Sequence, residues 1–208
     1  MGLRFSKLKR AIITEHLLLT NVLTTGGLMG LGDVITQNLE IRMDKEGKQK
    51  YSLQRTERML AVGLALGPFG HLWYSKIVDK LVPGVVSTRT AVKKILADQV
   101  VAGPFFCSAF FFGMGLLEGK GNQGAIAEVK EKFLPVYMLD WCVWPPLQFI
   151  NFRFLPMEYR VIYVACITLC WNTFLSYYKH MVRISLCYKL TNYNYISFSL
   201  KIVQIIKS

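Results

Sequence analysis

The sequence predicts an all-α fold, a multi-span transmembrane helical bundle with Gly-Pro kinked helices. Three observations predict it. Long apolar windows recur along the 208 residues, and most Lys and Arg fall between them. The chain is 52% hydrophobic with a mean hydropathy of +0.32, against a soluble norm of ~45–50% apolar residues. Gly67-Pro68 and Gly103-Pro104 interrupt two of the apolar windows.

Residues 1–16 form a basic amphipathic segment. Arg4, Lys7, Lys9 and Arg10 precede any acid, and Phe5, Leu8 and Ile12 share one helical face. This resembles an organelle-targeting start, or equally a positive flank that orients the first span. The M-G-x-x-x-S match at the start is a chance one, given bulky Leu3, Arg4 and Phe5.

The first span is expected over 17–37. Gly26, Gly30, Asp33 and Gln37 lie along one face, where small residues admit a neighbouring helix and the acid and amide face protein. The alternative is that the helix emerges before Asp33 and leaves it at the interface. Residues 38–58 read as a polar loop. A second span, 59–76, repeats the small-residue stripe with Gly63, Gly67, Gly70 and Tyr74, and Pro68 should kink it. His71 reads as hydrogen-bonded structure or as a pore-lining, proton-handling group. Residues 77–94 form a basic loop.

A third span, 95–117, opens on Asp98 and Gln99 and contains Pro104. It pairs with the second as an antiparallel hairpin, with Pro68 and Pro104 at similar depth. Interrupted helices in related positions can mark a substrate path. Residues 118–132 are polar, with Glu128, Lys130, Glu131 and Lys132 suited to an exposed helix face.

The stretch 140–160 is apolar, yet carries Asp140, Trp141, Trp144, Pro145, Pro146, Gln148, Asn151, Arg153 and Arg160. A bilayer tolerates such a segment only where protein or trapped water satisfies its polar groups. The expected form is a half-helix, a break and a second half-helix. The total is four spans, or five if 133–155 crosses fully. The last span, 160–178, carries Thr168, Asn172 and Ser176 on one stripe that should pack inward. The membrane-embedded domain is thus 17–180, followed by a tail, 181–208, of different composition.

Net charge is +12 with pI near 9.6. Basic loops beside anionic lipid head groups explain this. No RNA-binding module signature is visible, so direct nucleic-acid binding is not predicted. Cys166 and Cys170 among the five cysteines read as small packing residues rather than ligands or a bridge. There are three His and no H-E-x-x-H, G-x-S-x-G, Walker or G-x-G-x-x-G pattern. No catalytic, cofactor or metal residue is assigned, and the chain is expected not to be an enzyme. Asp33, Asp98 and Asp140 each cost ~2.5–3.5 kcal/mol at a bilayer centre. They should face inward or find partners such as Arg153 and Arg160. The intramembrane polar and kink candidates are Asp33, Gln37, Pro68, His71, Asp98, Gln99, Pro104, Asp140, Trp141, Trp144, Pro145, Gln148, Asn151, Arg160, Trp171 and Asn172.

GPFGHLWY at 67–74, ILADQVVAGP at 95–104, DWCVWPPLQFINFRFLPMEYR at 140–160 and WNTFLSY at 171–177 together resemble the Mpv-seventeen and twenty-two-kilodalton peroxisomal membrane protein family. GDVITQNLEIRMDKEG, AVGLALGPFGHLWY, GMGLLEG and VYMLDWCVWP look most like its Mpv-seventeen-like protein 2 branch. The family resemblance implies a small four-span protein of organelle membranes linked to pore formation. The branch implies the mitochondrial inner membrane and a role in assembling and stabilising the mitochondrial ribosome and supporting translation. The implied partners are the lipid bilayer, the ribosomal large subunit or its assembly intermediates, and a second copy of the chain. A pore for small solutes is the alternative.

Overall fold

In a computed structural model, the structure describes residues 17–45, 47, 49–83, 88–155 and 157–181. The readings of 1–16 and of the tail beyond Met181 lie outside the described residues. Five helical segments are present among the described residues. They are α1 (Leu17–Met43), α2 (Leu53–Leu72, then a π turn Trp73–Ile77 and a last turn Val78–Leu81), α3 (Thr88–Leu117), α4 (Gly121–Phe154) and α5 (Met157–Met181).

Each helix runs antiparallel to the one before it. Gly26 of α1 faces Leu64 of α2, while Gln37 reaches back to Ser52. Gly103 of α3 faces Asp140 of α4, while Gly115 meets Ala125. Trp144 of α4 stacks edge-on against Trp171 of α5. The five-segment count therefore puts the start of α1 and the end of α5 at opposite ends of the bundle. The α3–α4 turn is a glycine cap. Gly119 adopts φ +76°, its N–H bonds Leu116 O at 3.0 Å, and Lys120 N–H bonds Gly115 O at 3.1 Å, satisfying carbonyls that a helix end leaves open.

Small residues set the closest approaches. A Cβ on Gly63 would lie 2.8 Å from Gly26 Cα, one on Gly67 2.6 Å from Val22 Cα, and one on Gly32 2.9 Å from Asn172. Between them sits a core of Met29, Met59, Val62, Phe110, Phe111, Met114, Val136, Leu175 and Tyr178. The outer faces are apolar too. Leu19, Leu23, Leu31, Val100, Phe105 and Ile162 are exposed, a surface suited to lipid rather than water. Helices α1 and α3 are long and apolar enough to cross a bilayer. The 34 residues of α4 extend about 51 Å at ~1.5 Å per residue. That exceeds a ~30 Å hydrocarbon core, so its first turns stand outside.

Several expectations change. The break in 140–160 does not fall at the double proline: α4 runs unbroken through Pro135, Pro145 and Pro146 and ends at Phe154. Leu155 turns to extended backbone (φ −93°, ψ 133°) because it precedes Pro156. Interior prolines delete single N–H donors, and without competing water the flanking helix bonds persist. The helix also continues through Pro68, and the register change comes later, at the π turn Trp73–Ile77. At Pro104 the corresponding π turn, Asp98–Ala102, comes immediately before Gly103. The loops 38–58 and 77–94 are shorter than expected, because α1 continues to Met43 and α2 to Leu81. On α4, Lys130 and Glu131 are exposed, but Glu128 and Lys132 are buried. Their aliphatic stems pack while their charges pair.

Gly63→Leu should push α1 and α2 apart and destabilise the bundle by ~1–3 kcal/mol, the usual cost of overpacking. Gly27→Leu on the same helix pair, where a Cβ meets nothing within 4 Å, should be tolerated. Thermal unfolding of the detergent-purified protein compares the two.

Candidate functional site

The polar side chains gather in three places. The first is where α1, α2 and α5 meet. Asp33 has 0% exposure. Its carboxylate accepts from Arg55 Nε at 2.7 Å, Gln37 Nε2 at 2.7 Å, Thr56 Oγ1 at 2.7 Å and Ser176 Oγ at 2.5 Å. The Arg55 fork continues to both oxygens of Glu40, at 2.6 and 3.0 Å, and to Ser176 Oγ at 2.9 Å. Gln37 exchanges bonds with the Ser52 backbone, accepting from its N–H at 2.7 Å and donating to its carbonyl at 3.0 Å. Thr36 adds a bond to Thr173 O at 2.8 Å. The helix periodicity of the 26–37 stripe places the acid and amide here, facing protein as expected. Arg153 and Arg160 do not pair with the aspartates. Arg153 lies over the Phe154 ring at 5.5 Å, and Arg160 Nε donates to Leu155 O at 3.1 Å.

The second group is at the same end. Lys179 of α5 pairs with Glu128, and with Glu118 at 2.9 Å. Lys120 reaches Glu118 at 2.7 Å and Glu128 at 2.8 Å. Lys132 pairs with Glu128 at 2.9 Å and donates to Lys179 O at 2.7 Å. Glu118 and Glu128 lie beyond the apolar span. Burial alone would raise their pKa, but the bonds from Lys120 and Lys179 prevail. Glu118 is held below the ordinary carboxylate value of 4.5, and Glu128, also bonded by Lys132, is held at about 2.

The third group lines a cavity of about 230 Å³ between the helices. Thr25 and Met29 of α1, Leu66 and Tyr74 of α2, Asp98, Gln99, Gly103 and Cys107 of α3, Asp140, Trp144 and Gln148 of α4, and Thr168, Trp171 and Asn172 of α5 form its wall. Asp98 Oδ1 accepts from Trp73 Nε1 at 2.5 Å. The π turn explains part of this site. Gly103 N–H bonds Asp98 O, so the Gln99 carbonyl would next require a donor from Pro104, which has none. The Tyr137 hydroxyl supplies it at 2.9 Å.

The sequence candidates thus divide. Asp98, Gln99, Asp140, Trp144, Gln148, Trp171 and Asn172 come together in the cavity wall, while Asp33 and Gln37 belong to the first network. Pro104 follows the π turn that shapes the wall, whereas half-buried Pro68 lies inside α2. His71 Nδ1 bonds Asn21 Nδ2 at 3.0 Å, the ordinary structural role. Trp141 and Pro145 lie off the cavity; Trp141 is partly exposed and meets Tyr137 edge-on. Asn151 is buried and donates to Gln148 at 3.3 Å. Arg55, Glu40, Tyr137, Trp73 and Lys179 were not singled out by sequence. Arg55 sits in a polar stretch, and no local spacing announces its partner across two helices.

An apolar-skinned bundle of antiparallel helices around a cavity with a few polar groups in its wall defines a multi-pass membrane protein. Residues 115–176 match the model of the Mpv17 / PMP22 family. The chain is 33% identical over 169 residues to the mitochondrial inner membrane protein Mpv17 of Danio rerio, covering 81% of this chain and 93% of that one. The Homo sapiens protein of that name is 34% identical over the same shares. Protein SYM1 of Kluyveromyces lactis is 35% identical over 76% of this chain and 81% of its own. The chain belongs to the Mpv17 / PMP22 family and is a protein of the mitochondrial inner membrane. No solved structure matches it.

The ionic cluster at the end of the bundle has a pH signature. Glu118 and Glu128 keep their charge to lower pH when folded than when unfolded. Their contribution is fully present above about pH 4.5 and is lost as pH falls below it, for Glu128 toward about 2. Melting temperature should therefore drop as pH falls from about 4.5 toward about 2, and Glu128→Gln should flatten that drop. A pH-independent wild-type melt contradicts the assignment.

Proposed function

We propose that this family member is a non-enzymatic inner-membrane factor that supports assembly and stability of the mitochondrial ribosome, and through it mitochondrial translation. The observation that carries the reading is the placement of the segment GDVITQNLEIRMDKEG. This stretch, one of the four that resemble the branch, includes Asp33, Gln37 and Glu40, and so helps build the ion-paired end of the bundle. Arg42 and Lys45 within it and Lys50 just after it stand exposed, with Lys130 at the same end. A rigid platform with outward cations suits the acidic faces of a large ribosomal subunit or an assembly intermediate, without base readout. Gradient sedimentation of detergent-solubilised mitochondria tests it. Depletion should shift the large-subunit profile and lower organelle translation; unchanged profiles and translation contradict it.

A second reading, a pathway for small solutes, is favoured by the cavity, where Asp98, Asp140 and Gln148 line one space among five helices. It predicts conductance in planar bilayers, and silent bilayers with folded protein oppose it. The two roles are compatible in one protein.

A further inference from the structure

We propose that the interior cavity is a binding site for a small organic cation, an alkylammonium, held by Asp98, Asp140 and the side-chain carbonyl of Gln99. This rests on the solute-pathway reading and names its substrate class.

The first reason is an imbalance of charge. Elsewhere the buried acids have cations: Asp33 and Glu40 have Arg55, and Glu118 and Glu128 have Lys120 and Lys179. Asp98 and Asp140 line the same cavity, yet among the described residues no Lys, Arg or His lines it. Two carboxylates in a largely apolar wall, half-buried between helices, attract a counter-charge, because they are screened less there than in bulk water.

The second reason is independent of charge. Gln99 is only 5% exposed, its amide is hydrogen-bonded to Asp140, and its Oε1 has no hydrogen-bond partner among the described residues. It lines the same cavity. A buried amide oxygen with no donor calls for one, and an ammonium brings three N–H groups.

The rest of the wall selects the kind of cation. Phe106, Trp144 and Trp171 belong to the lining, and aromatic faces attract ammonium groups. No group of three or more His, Cys, Asp or Glu able to hold a metal exists among the described residues, and a hard metal ion needs six or more oxygens. The volume, about 230 Å³, lies below the ~300–1,000 Å³ of sites for drug-sized ligands, so the alkyl part is short.

The experiment uses the full-length protein in lipid nanodiscs with n-butylammonium chloride as probe. Sodium chloride of equal ionic strength and n-butanol serve as controls. Calorimetry should show saturable binding of butylammonium alone. Asp98→Asn and Asp140→Asn should each weaken it at least tenfold, while Asp79→Asn, an exposed acid outside the cavity, should leave it unchanged. Gln99→Glu keeps the size and adds charge, and should tighten binding; circular dichroism confirms that each variant is folded. Heat no greater than that of sodium chloride, equal binding of butanol, or undiminished binding by the Asp98→Asn/Asp140→Asn pair overturns the proposal. Bilayer recordings separate site from pathway. Saturable binding by a silent protein upholds the site and removes the pathway. Conductance without saturable binding removes the site and keeps the pathway.

Discussion

Asp33 and Arg55 form the interaction on which the rest of the bundle depends. A carboxylate with no exposed surface sits where α1, α2 and α5 converge, and the Arg55 guanidinium 2.7 Å away is its only charged partner among the described residues. Taking such a group out of water is expensive, and the cost is offset only if charge and lone pairs are all met. Here they are: Gln37, Thr56 and Ser176 donate as well. Because the donors come from three helices, satisfying one carboxylate fixes the register of all three. Nonspecific apolar contact would not do this, since lipid tails pack against Leu as well as another helix does. The glycines at 26, 32, 63 and 67 then determine how near the backbones come.

The same economy of partners appears around the prolines. Pro104 withdraws a donor at the point where α3 widens into a π turn, and Tyr137 from α4 replaces it. The widened turn also changes the angular position of Asp98 and Gln99 relative to the helix that follows. A feature that could be taken for a hinge is therefore tied to a neighbouring helix by a specific bond, and the cavity wall is built from it. The opposite end of α3 is held by the glycine cap and by the ion pairs of Glu118. The bundle is thus charged and cross-linked at one end, aromatic and polar-lined in its middle, and apolar on its outside.

Much of this was legible in the chain. The all-α class, the inward stripe on α1, the helical hairpin of α2 and α3 and the inward Asn172 and Ser176 follow from 3.6-residue periodicity, which local spacing expresses directly. The motif resemblance located the family. The partners of the buried acids were not legible, because Arg55 meets Asp33 across 22 positions and its neighbourhood reads as loop until the start of α2 is known. The double proline misled for a related reason. Proline forbids a backbone donor, but whether the helix breaks depends on what surrounds it, and the break fell instead where Leu155 precedes Pro156. The π turns lacked a signal too, since they are a register choice rather than a composition.

The most direct measurement is a double-mutant cycle on Asp33→Asn and Arg55→Met, with unfolding free energies read in lipid nanodiscs. The account predicts that Arg55→Met alone costs about 3–5 kcal/mol, as expected when a buried charge loses its partner. The double variant should recover part of that loss, giving a coupling energy of ~1.5 kcal/mol or more. Additive losses, with a coupling near zero, would show that the two groups act independently and that the three helices are held in register by something else.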